Sequence, residues 1–419
     1  MENTNSKIEQ KGEKNPGTGK NPLKRRTILK ALVGVPVLGA FALELSEKRN
    51  YDLEKKNRIL QELELDKMPA PSIPPMSGGN KDLIRIGIIG FGNRATAHVN
   101  GLGYMHPDDA EKRRLNGTFE DWLLQEDLGV AITGICDVFD LHAEKGMETA
   151  RNSVRAGGAR MTDLPIKRYR TYQEMLDDKN IDAVMIGTPD HTHAPITIAA
   201  AKAGKHVYCE KAPCHSEEQM NEVYNTVKNS NIVYQLGHQV PQSVVFQQAK
   251  DIIKKNILGK ITLIETTTNR NTANGAWIRH LDANGQYKPG DEKTIDWDQW
   301  LGPAPKVPFS IDRFYNWTKF FDYDIGLIGQ LFTHEFDAVN QLLNIGIPAS
   351  VVSSGGIYYW KDNREMADLL HCVFEYPNRD LTLLYSASLA SSRPRGRVFM
   401  GHDASMELEI GRASCRERV

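Results

Sequence analysis

A buried strand that runs directly into a glycine-rich turn is the feature that most constrains the fold. Residues 83–89 (LIRIGII) form a continuous, β-branched apolar run, which is typical of a parallel strand covered on both faces. Residues 90–95 (GFGNRA) follow at once and match the G-x-G-x-x-G/A pattern of dinucleotide-binding turns. The pattern needs a tight turn, a close approach of backbone to a pyrophosphate, and close packing of the next helix. We therefore predict a phosphate-binding turn formed by Gly90, Phe91, Gly92, Asn93 and Arg94.

A second apolar run, 131–136 (AITGIC), ends at Asp137. A carboxylate at this position accepts hydrogen bonds from ribose hydroxyls and repels a 2′-phosphate, so the sequence favours NAD over NADP. Asp137 lies 42 residues beyond Ala95, whereas about 20 is usual. An inserted segment, 103–127, accounts for the difference, and its role stays open. The alternative for Asp137 is a turn residue that merely ends the strand.

Two further βα units follow along the chain. The apolar run 182–187 leads into T-P-D-H-T-H (188–193), and the strand 206–209 delivers Glu210 and Lys211 at its carboxyl end. Ligands of open parallel sheets bind at that edge, so we predict five more cofactor-binding residues: Thr188, Pro189, His193, Glu210 and Lys211. Residues 216–219 (SEEQ) form a capping box that starts a helix. The alternation of strands and helices predicts a doubly wound α/β fold.

Composition excludes several classes of protein. The chain has 419 residues, enough for two or three domains, and a formal net charge of -1 from 52 basic and 53 acidic residues. A nucleic-acid-binding protein usually shows a clear basic excess. Five cysteines without a C-x-x-C pair argue against a disulfide scaffold or a zinc module. Histidines lie on separate predicted loops, without a carboxylate at ligand spacing, so we predict no metal site.

The two ends of the chain differ from its body. Residues 24–30 (KRRTILK) precede an apolar stretch, 31–43, with a small-x-small site at 40–42, which is the pattern of an export signal. The stretch is too short to span a bilayer. The paired arginines resemble a twin-arginine (Tat) signal, so we predict a signal peptide over 1–42, a partnership with the Tat machinery, and a periplasmic protein. The alternative is a basic tail before a buried helix.

Separate predictions concern two other segments, one after the signal and one at the carboxyl end. Residues 43–80 become rich in Pro, Gly and Ser and are predicted to be a linker. Residues 412–419 (RASCRERV) break from the alternating strand before them and are suspected to be non-native read-through, with a frayed terminus as the alternative. We therefore expect a dinucleotide-binding domain over 81–215 and a second, truncated domain over 216–411.

Four motifs together resemble the glucose–fructose oxidoreductase/inositol dehydrogenase/MocA (Gfo/Idh/MocA) family. They are the fingerprint with His98 three residues beyond it, T-P-x-x-x-H at 188–193, E-K-P, which appears at 210–213 as E-K-A-P with Ala212 inserted or substituted, and D-x-x-x-H-x-x-D at 330–337. The last motif keeps His334 and Asp337, but Gln330 replaces its first Asp. The similarity runs from about residue 83 to about residue 410.

The resemblance implies a second domain built on a large, predominantly antiparallel sheet, and assembly into dimers or tetramers through that sheet. It also implies hydride transfer from a sugar, polyol or sugar derivative to tightly bound nicotinamide. His334 would then accept the hydroxyl proton, and Lys211 would stabilise the charge that develops on the same oxygen. The candidate substrate-binding residues are Asn269, Arg270, Gln330 and Asp337.

Two other functions stay open from the sequence. An NAD-assisted glycosidase would use the same fold, with a closed cycle of oxidation and reduction. A catalytically idle carbohydrate-binding relative would explain why Gln330 has replaced the usual Asp and why the E-K-P motif is altered at 210–213. Export adds a hypothesis to the leading interpretation, because free NAD is scarce outside the cytoplasm: the cofactor would be loaded before export and remain bound.

Overall fold

Two β-sheets, one parallel and one mostly antiparallel, organise the computed structural model. It describes residues 83–155, 164–239, 244–273, 275–282, 286–409 and 412–417. The predicted signal peptide (1–42) and the predicted linker (43–80) lie outside the described residues. This architecture confirms the predicted fold class, a dinucleotide-binding α/β domain followed by an α+β domain.

The first sheet has six parallel strands in the order β3-β2-β1-β4-β5-β6, which is the Rossmann order. Its strands are β1 (Ile84–Ile89), β2 (Val130–Cys136), β3 (Lys167–Tyr169), β4 (Ala183–Ile186), β5 (His206–Glu210) and β6 (Tyr234–Gly237). Its helices are Asn93–Gly101, Pro107–Leu115, Phe119–Leu123, Asp140–Arg151, Tyr172–Asp177, His193–Lys202 and Glu217–Lys228, with a 3₁₀ turn at Asp190–Thr192. The carboxyl halves of β1 and β2 are fully buried, as their apolar sequences predict.

The first sheet continues past residue 215, where we expected the domain to end. The predicted N-cap is present, because Ser216 Oγ accepts from Gln219 N at 3.3 Å; Gln219 Oε1 reaches back to accept from His215 N, one residue before the cap, at 2.7 Å. The helix that it starts then leads into β6, which pairs with β5 in the same sheet. A capping box marks the beginning of a helix and carries no information about the end of a domain.

The inserted segment 103–127 folds into two short helices against the first domain. Met105, Ala110, Phe119 and Trp122 form a buried cluster of their own. Trp122 Nε1 donates to the carbonyl oxygen of Asn100 at 2.9 Å, which ties the insertion to the end of the first helix. The insertion is therefore a packed part of the domain.

The second sheet has seven strands in the order β13-β12-β11-β7-β10-β9-β8. They are β7 (Ile261–Asn269), β8 (Ser350–Gly356), β9 (Leu369–Tyr376), β10 (Leu381–Ser388), β11 (Gly396–Gly401), β12 (Ala404–Glu409) and β13 (Arg412–Glu417). Only β7 and β10 pair in parallel; the other neighbours are antiparallel. The sequence assigned no element to 412–417, and its backbone pairs with β12 along the whole strand.

The second domain also contains helices, and its aromatic residues contact the first domain. The helices are Val244–Lys254, Trp297–Leu301, Ile311–Tyr315 and Thr333–Leu343, with a π-helical turn at Ile328–Phe332 and 3₁₀ turns at Trp317–Lys319 and Pro377–Arg379. An aromatic cluster that includes Trp300, Phe314 and Tyr323 packs on Phe139 of the first domain. Among the helices that the structure describes, none has the length and apolarity needed to cross a bilayer.

Candidate active site

One large cavity lies at the carboxyl edge of the parallel sheet, where the second domain covers it. Its volume is about 1320 Å³, above the common range of roughly 300–1,000 Å³ for small-ligand pockets. It is lined by most of the predicted site residues: Gly90, Gly92, Asn93, Arg94, Asp137, Thr188, Pro189, Glu210, Lys211, Arg270, Gln330 and His334. The cavity is large enough for two ligands side by side.

The two fingerprint glycines are required for different reasons. Gly90 has φ +83°, and a Cβ there would lie 2.9 Å from Thr188 Cγ2 and 3.0 Å from backbone of Gly187. A Cβ on Gly92 would meet no protein atom within 4 Å, although Gly92 lines the cavity. Protein packing therefore requires Gly90 to be glycine, whereas the open space at Gly92 is the cradle that a pyrophosphate needs. The helix Asn93–Gly101 begins there, so its free N–H groups also face the turn.

Asp137 links the two turns that follow β1 and β2. Its Oδ2 accepts from Phe91 N at 2.5 Å and its Oδ1 accepts from Phe139 N at 2.8 Å. Burial raises the pKa of Asp137, against the opposing effects of nearby His142 and of the two backbone donors. Each oxygen keeps a second lone pair, and Asp137 lines the cavity. The residues present therefore fit the predicted cofactor: an open phosphate cradle stands beside a fixed carboxylate acceptor for ribose hydroxyls.

Glu210 joins the end of β5 to the first helix. Its Oε1 accepts from Arg94 Nε at 2.9 Å, lies 2.5 Å from His98 Nε2, and accepts from Gln239 Nε2 at 2.9 Å. Burial opposes ionisation, but the His98 hydrogen bond and the Arg94 charge outweigh it and lower the pKa of Glu210 to about 2. Three partners thus hold this carboxylate, so it anchors the helix that carries the phosphate-binding turn.

Lys211 is connected to two buried carboxyls through Gln330. Lys211 Nζ donates to Gln330 Oε1 at 2.6 Å, and Gln330 Nε2 donates to Asp190 Oδ2 at 2.9 Å and to Asp324 Oδ1 at 2.8 Å. Gln330 sits within the π-helical turn Ile328–Phe332, a distortion that often occurs at functional sites. The amide uses both its acceptor and its donors here. Gln330 therefore bridges the Lys211 ammonium to two carboxyls that form no direct hydrogen bond with Lys211.

The two carboxyls titrate together. Burial, with the charge of Asp324 next, raises the pKa of Asp190 well above its usual range, and burial also raises the pKa of Asp324. Two close carboxyls in a dry site disfavour each other's ionisation, so their titrations are coupled. Burial lowers the pKa of Lys211, against the opposing charges of Asp190 and Asp324. The pair thus supplies part of the negative charge that Gln330 lacks.

His334 lines the same cavity on the helix that follows the π-helical turn. Burial, and then the charge of Lys211, lower the pKa of His334 to about 3, with smaller contributions from His238 and Arg395. Its ring is therefore uncharged at neutral pH. Its Nδ1 has no hydrogen-bond partner among the residues that the structure describes. An uncharged imidazole with an unused nitrogen can accept a hydrogen bond from a hydroxyl group.

Four predicted site residues do not line the cavity. The Phe91 side chain lies in the hydrophobic core, and only its backbone contacts Asp137. His193 is 1% exposed, with its ring nitrogens 2.6 Å from the carbonyl oxygen of Ala212 and 2.8 Å from that of Thr188. Burial lowers the pKa of His193, so its neutral ring donates to one of these carbonyls.

The other two residues outside the cavity are candidate substrate ligands. Asn269 forms hydrogen bonds with the backbone of Arg393 and Ser388 at the sheet edge. Asp337 points to His238 and Gln341. The prediction that Asn269 and Asp337 bind substrate is therefore not supported by their side-chain contacts. The sequence gives the position of a residue along a strand or helix, and neighbouring elements decide which way its side chain points.

Sequence reasoning missed three residues around Lys211. Asp190 belongs to the 188–193 motif, and its position after β4 is a signal for a site residue. Asp324 precedes Gln330 by six residues, and Arg279 follows a polar-aromatic stretch; neither has a local signal. Within the described ranges, no group of three or more His, Cys, Asp or Glu residues is arranged to hold a metal ion.

Comparison with known families covers both domains. Residues 84–238 match the GFO_IDH_MocA model, described as an oxidoreductase family with an NAD-binding Rossmann fold. Residues 243–352 match the GFO_IDH_MocA_C2 model, described as the C-terminal alpha/beta domain of that oxidoreductase family. The two matches meet just after β6, where the first sheet ends.

Two curated relatives show similarity to parts of the chain. Levoglucosan dehydrogenase of Pseudarthrobacter phenanthrenivorans is 31% identical over 185 residues, which covers 44% of this chain and 41% of the relative. Myo-inositol 2-dehydrogenase of Thermotoga maritima is 25% identical over 187 residues, 44% of this chain and 45% of the relative. The matched part therefore spans less than half the length of these two relatives.

Solved structures share the fold. A complex of levoglucosan dehydrogenase with NADH and levoglucosan superposes with a TM-score of 0.54 at 18% identity, covering 79% of this chain and 75% of the other. The WlbA dehydrogenase of Bordetella pertussis, in complex with NADH and UDP-GlcNAcA, gives 0.55 at 14% identity, covering 80% and 84%. By the sequence of both domains and by the fold that they form, this chain belongs to the Gfo/Idh/MocA family of NAD-binding oxidoreductases.

Proposed function

We propose that the protein oxidises a hydroxyl group of a sugar or polyol and transfers the hydride to NAD. The observation that carries this proposal is the sharing of one cavity by Gly92, Lys211 and His334. A phosphate cradle, a cationic hydrogen-bond donor and an uncharged acceptor are the three parts that such a reaction needs. The names of the two curated relatives, dehydrogenases of levoglucosan and of myo-inositol, support a carbohydrate substrate.

NAD, when bound, supplies the hydride acceptor at its nicotinamide ring. The Gly90–Gly92 turn and the start of the following helix would hold the phosphates, and Asp137 would accept hydrogen bonds from a ribose. Thr188 and Pro189 also line the cavity. Glu210 is the last residue of β5 and directly precedes Lys211. Because Arg94 and His98 hold Glu210, they fix the position of Lys211 relative to the phosphate-binding turn.

Lys211 and His334 would act on the substrate hydroxyl. One N–H of Lys211 is used by Gln330, so two remain to hydrogen-bond the oxygen whose negative charge grows during oxidation. Uncharged His334 accepts the departing proton. Gln330 and the carboxyl pair Asp190–Asp324 position the Lys211 ammonium and favour its charged form, since both carboxyls oppose the lowering of its pKa.

The test is a sugar and polyol panel assayed on the NAD-loaded protein, with reduced nicotinamide measured by absorbance. Lys211→Ala should lower kcat/KM by about 10²- to 10³-fold, the usual cost of one oxyanion-stabilising donor. Lys179→Ala, which removes an exposed lysine outside the cavity, is the matched control. Absence of nicotinamide binding, or full activity in Lys211→Ala, would overturn the proposal. Release of the aglycone from an aryl glycoside would identify a hydrolase instead.

The protein is further proposed to be exported to the periplasm by the Tat machinery, with NAD already bound. The support is the sequence 24–43 alone, with its paired arginines and short apolar stretch. The test is cell fractionation of the full-length chain and of Arg25→Lys/Arg26→Lys. We expect the wild-type protein in the periplasm with nicotinamide retained, and the double variant in the cytoplasm. The same periplasmic fraction for both chains would contradict export by this route.

We also propose that the protein forms a homodimer or homotetramer through the second sheet. The support is β8, an edge strand whose Val351 and Val352 are 51% and 65% exposed. Exposed apolar edge strands tend to pair with another chain. Light scattering of the purified protein should give a molar mass of two or four chains, and Val352→Lys should lower that molar mass. A monomer at micromolar concentration would contradict the proposal.

A further inference from the structure

The wall that the second domain contributes to the cavity is basic. Four cationic side chains of that domain line it, Arg270, Arg279, Lys288 and Arg395, and no carboxylate of the described part of that domain does. The first domain adds Lys211 near the same place. A sugar or polyol without charge needs hydrogen-bond donors and acceptors, whereas this wall offers an excess of cationic donors.

Protein groups compensate only one of these four charges by a direct ion pair. Arg395 Nε donates to Glu335 Oε1 at 2.6 Å, and Glu335 is also paired with Arg397. Across the described residues, Arg270, Arg279 and Lys288 have no carboxylate within ion-pair distance. We call these three residues the basic wall.

Aromatic rings hold the basic wall in place instead. The Arg270 guanidinium lies 5.1 Å from the ring centre of Trp277, that of Arg279 lies 5.4 Å from Trp317, and Lys288 Nζ lies 5.6 Å from Tyr315. Cation–π contacts of this kind fix a cation without neutralising its charge. Trp277, Trp317 and Tyr315 also line the cavity, so the same rings can pack on the apolar face of a sugar.

Arg279 shows most clearly that a counter-charge is missing. Its Nη1 is inaccessible to solvent and has no hydrogen-bond partner among the described residues. Burial lowers the pKa of Arg279 to about 10, although the charges of Asp324 and Asp190 oppose this. A buried N–H donor without an acceptor costs free energy, and an anion beside Arg279 would supply that acceptor.

We propose that the substrate is an acidic sugar, whose anionic substituent binds the basic wall while Lys211 and His334 act on a hydroxyl group. This inference rests on the proposed dehydrogenase function and adds the substrate class. The phosphate cradle at Gly92 and Arg94 belongs to the first domain, whereas the basic wall belongs to the second. A carboxylate and a sulfate ester share the required chemistry, and the experiment separates them.

The experiment measures binding of sugars to the full chain loaded with NADH, by titration calorimetry. The affinity for NADH is measured first. If NADH does not bind, the proposed dehydrogenase function itself fails, and this outcome is thereby distinguished from failure of the acidic-sugar inference. The probes are matched pairs: D-glucose with D-glucuronate, D-galactose with D-galacturonate, and D-glucose with its 6-sulfate. At least one acid should bind tenfold more tightly than its neutral partner, about 1.4 kcal/mol, and the preference should shrink from about 0.05 M to about 0.5 M NaCl.

Variants assign that preference to the basic wall. Arg279→Gln and Lys288→Gln should each lower the ratio of acid to neutral affinity at least fivefold. Lys254→Gln removes the same charge from an exposed helix end outside the cavity and should leave the ratio unchanged. The inference is overturned if NADH binds but no acid binds more tightly than its neutral partner. It is equally overturned if the two variants weaken NADH binding and leave the ratio intact.

Discussion

Glu210→Gln tests whether the buried carboxylate at the end of β5 stabilises the first domain. Glu210 is 5% exposed, and its Oε1 is shared by Arg94, His98 and Gln239. Gln keeps the shape of the side chain and removes its charge. The substitution should therefore weaken the connection between β5 and the helix that carries the phosphate-binding turn, without creating a cavity.

The magnitude follows from the titration of Glu210. Its partners lower the pKa from 4.5 to about 2, and each factor of ten in this equilibrium is worth 1.36 kcal/mol. The ionised form thus contributes about 3 kcal/mol of folding stability at neutral pH. Because the folded pKa is the lower one, this contribution is complete above the unfolded value of 4.5 and declines as the pH falls towards 2.

Urea unfolding of wild type and Glu210→Gln measures both the size and the pH dependence. The variant should lose about 3 kcal/mol at pH 7, and the difference from wild type should narrow by about 1 kcal/mol near pH 3.5. Glu126→Gln, at an exposed loop position, is the control and should change stability by less than about 0.5 kcal/mol. A loss below about 0.5 kcal/mol for Glu210→Gln, or a loss that stays constant with pH, would refute the reasoning.

Four further substitutions examine the cavity. Gly92→Ala should weaken NAD binding at least tenfold and leave the unfolding midpoint unchanged, because its Cβ meets only open space; Gly90→Ala should lower the midpoint, because its Cβ meets Thr188 at φ +83°. Equal midpoints for these two variants would contradict this assignment. Asp324→Asn should move the alkaline limb of the kcat/KM profile to lower pH, because less negative charge then supports the Lys211 ammonium; an unmoved limb would separate Asp324 from Lys211. His334→Asn should lower kcat by about 10²- to 10⁴-fold. In the wild-type pH profile, His334 should cause no loss of activity between pH 7 and pH 5, because its pKa is about 3.

The first domain could be predicted in detail because its signals are local. The β-branched run before Gly90 forms β1, and the turn takes the positive φ that its first glycine allows. The strand before Asp137 and the capping box at Ser216 are likewise where the sequence places them. Each of these features is decided by neighbours within a few residues along the chain. The domain boundary was wrong, because the pairing of β6 with β5 is a contact between distant segments.

Orientation within the site could not be predicted in the same way. The motifs correctly bring Lys211, Gln330 and His334 to one cavity. They also pointed to His193, Asn269 and Asp337 as ligands, although these side chains face backbone or other residues. A motif gives the position of a residue on its strand or helix, and the packing of the elements decides whether it reaches the ligand.

The sequence by itself determined the fold class, the phosphate-binding turn and the family to which the chain belongs. Only the tertiary structure decided how Lys211 is supported. Gln330 could be seen as the loss of an acidic residue, but not as the amide that joins Lys211 to Asp190 and Asp324. Those carboxyls come from two different domains and are 134 residues apart in the chain. Their coupled titration depends on distance and burial, which arise only when the two sheets pack around one cavity.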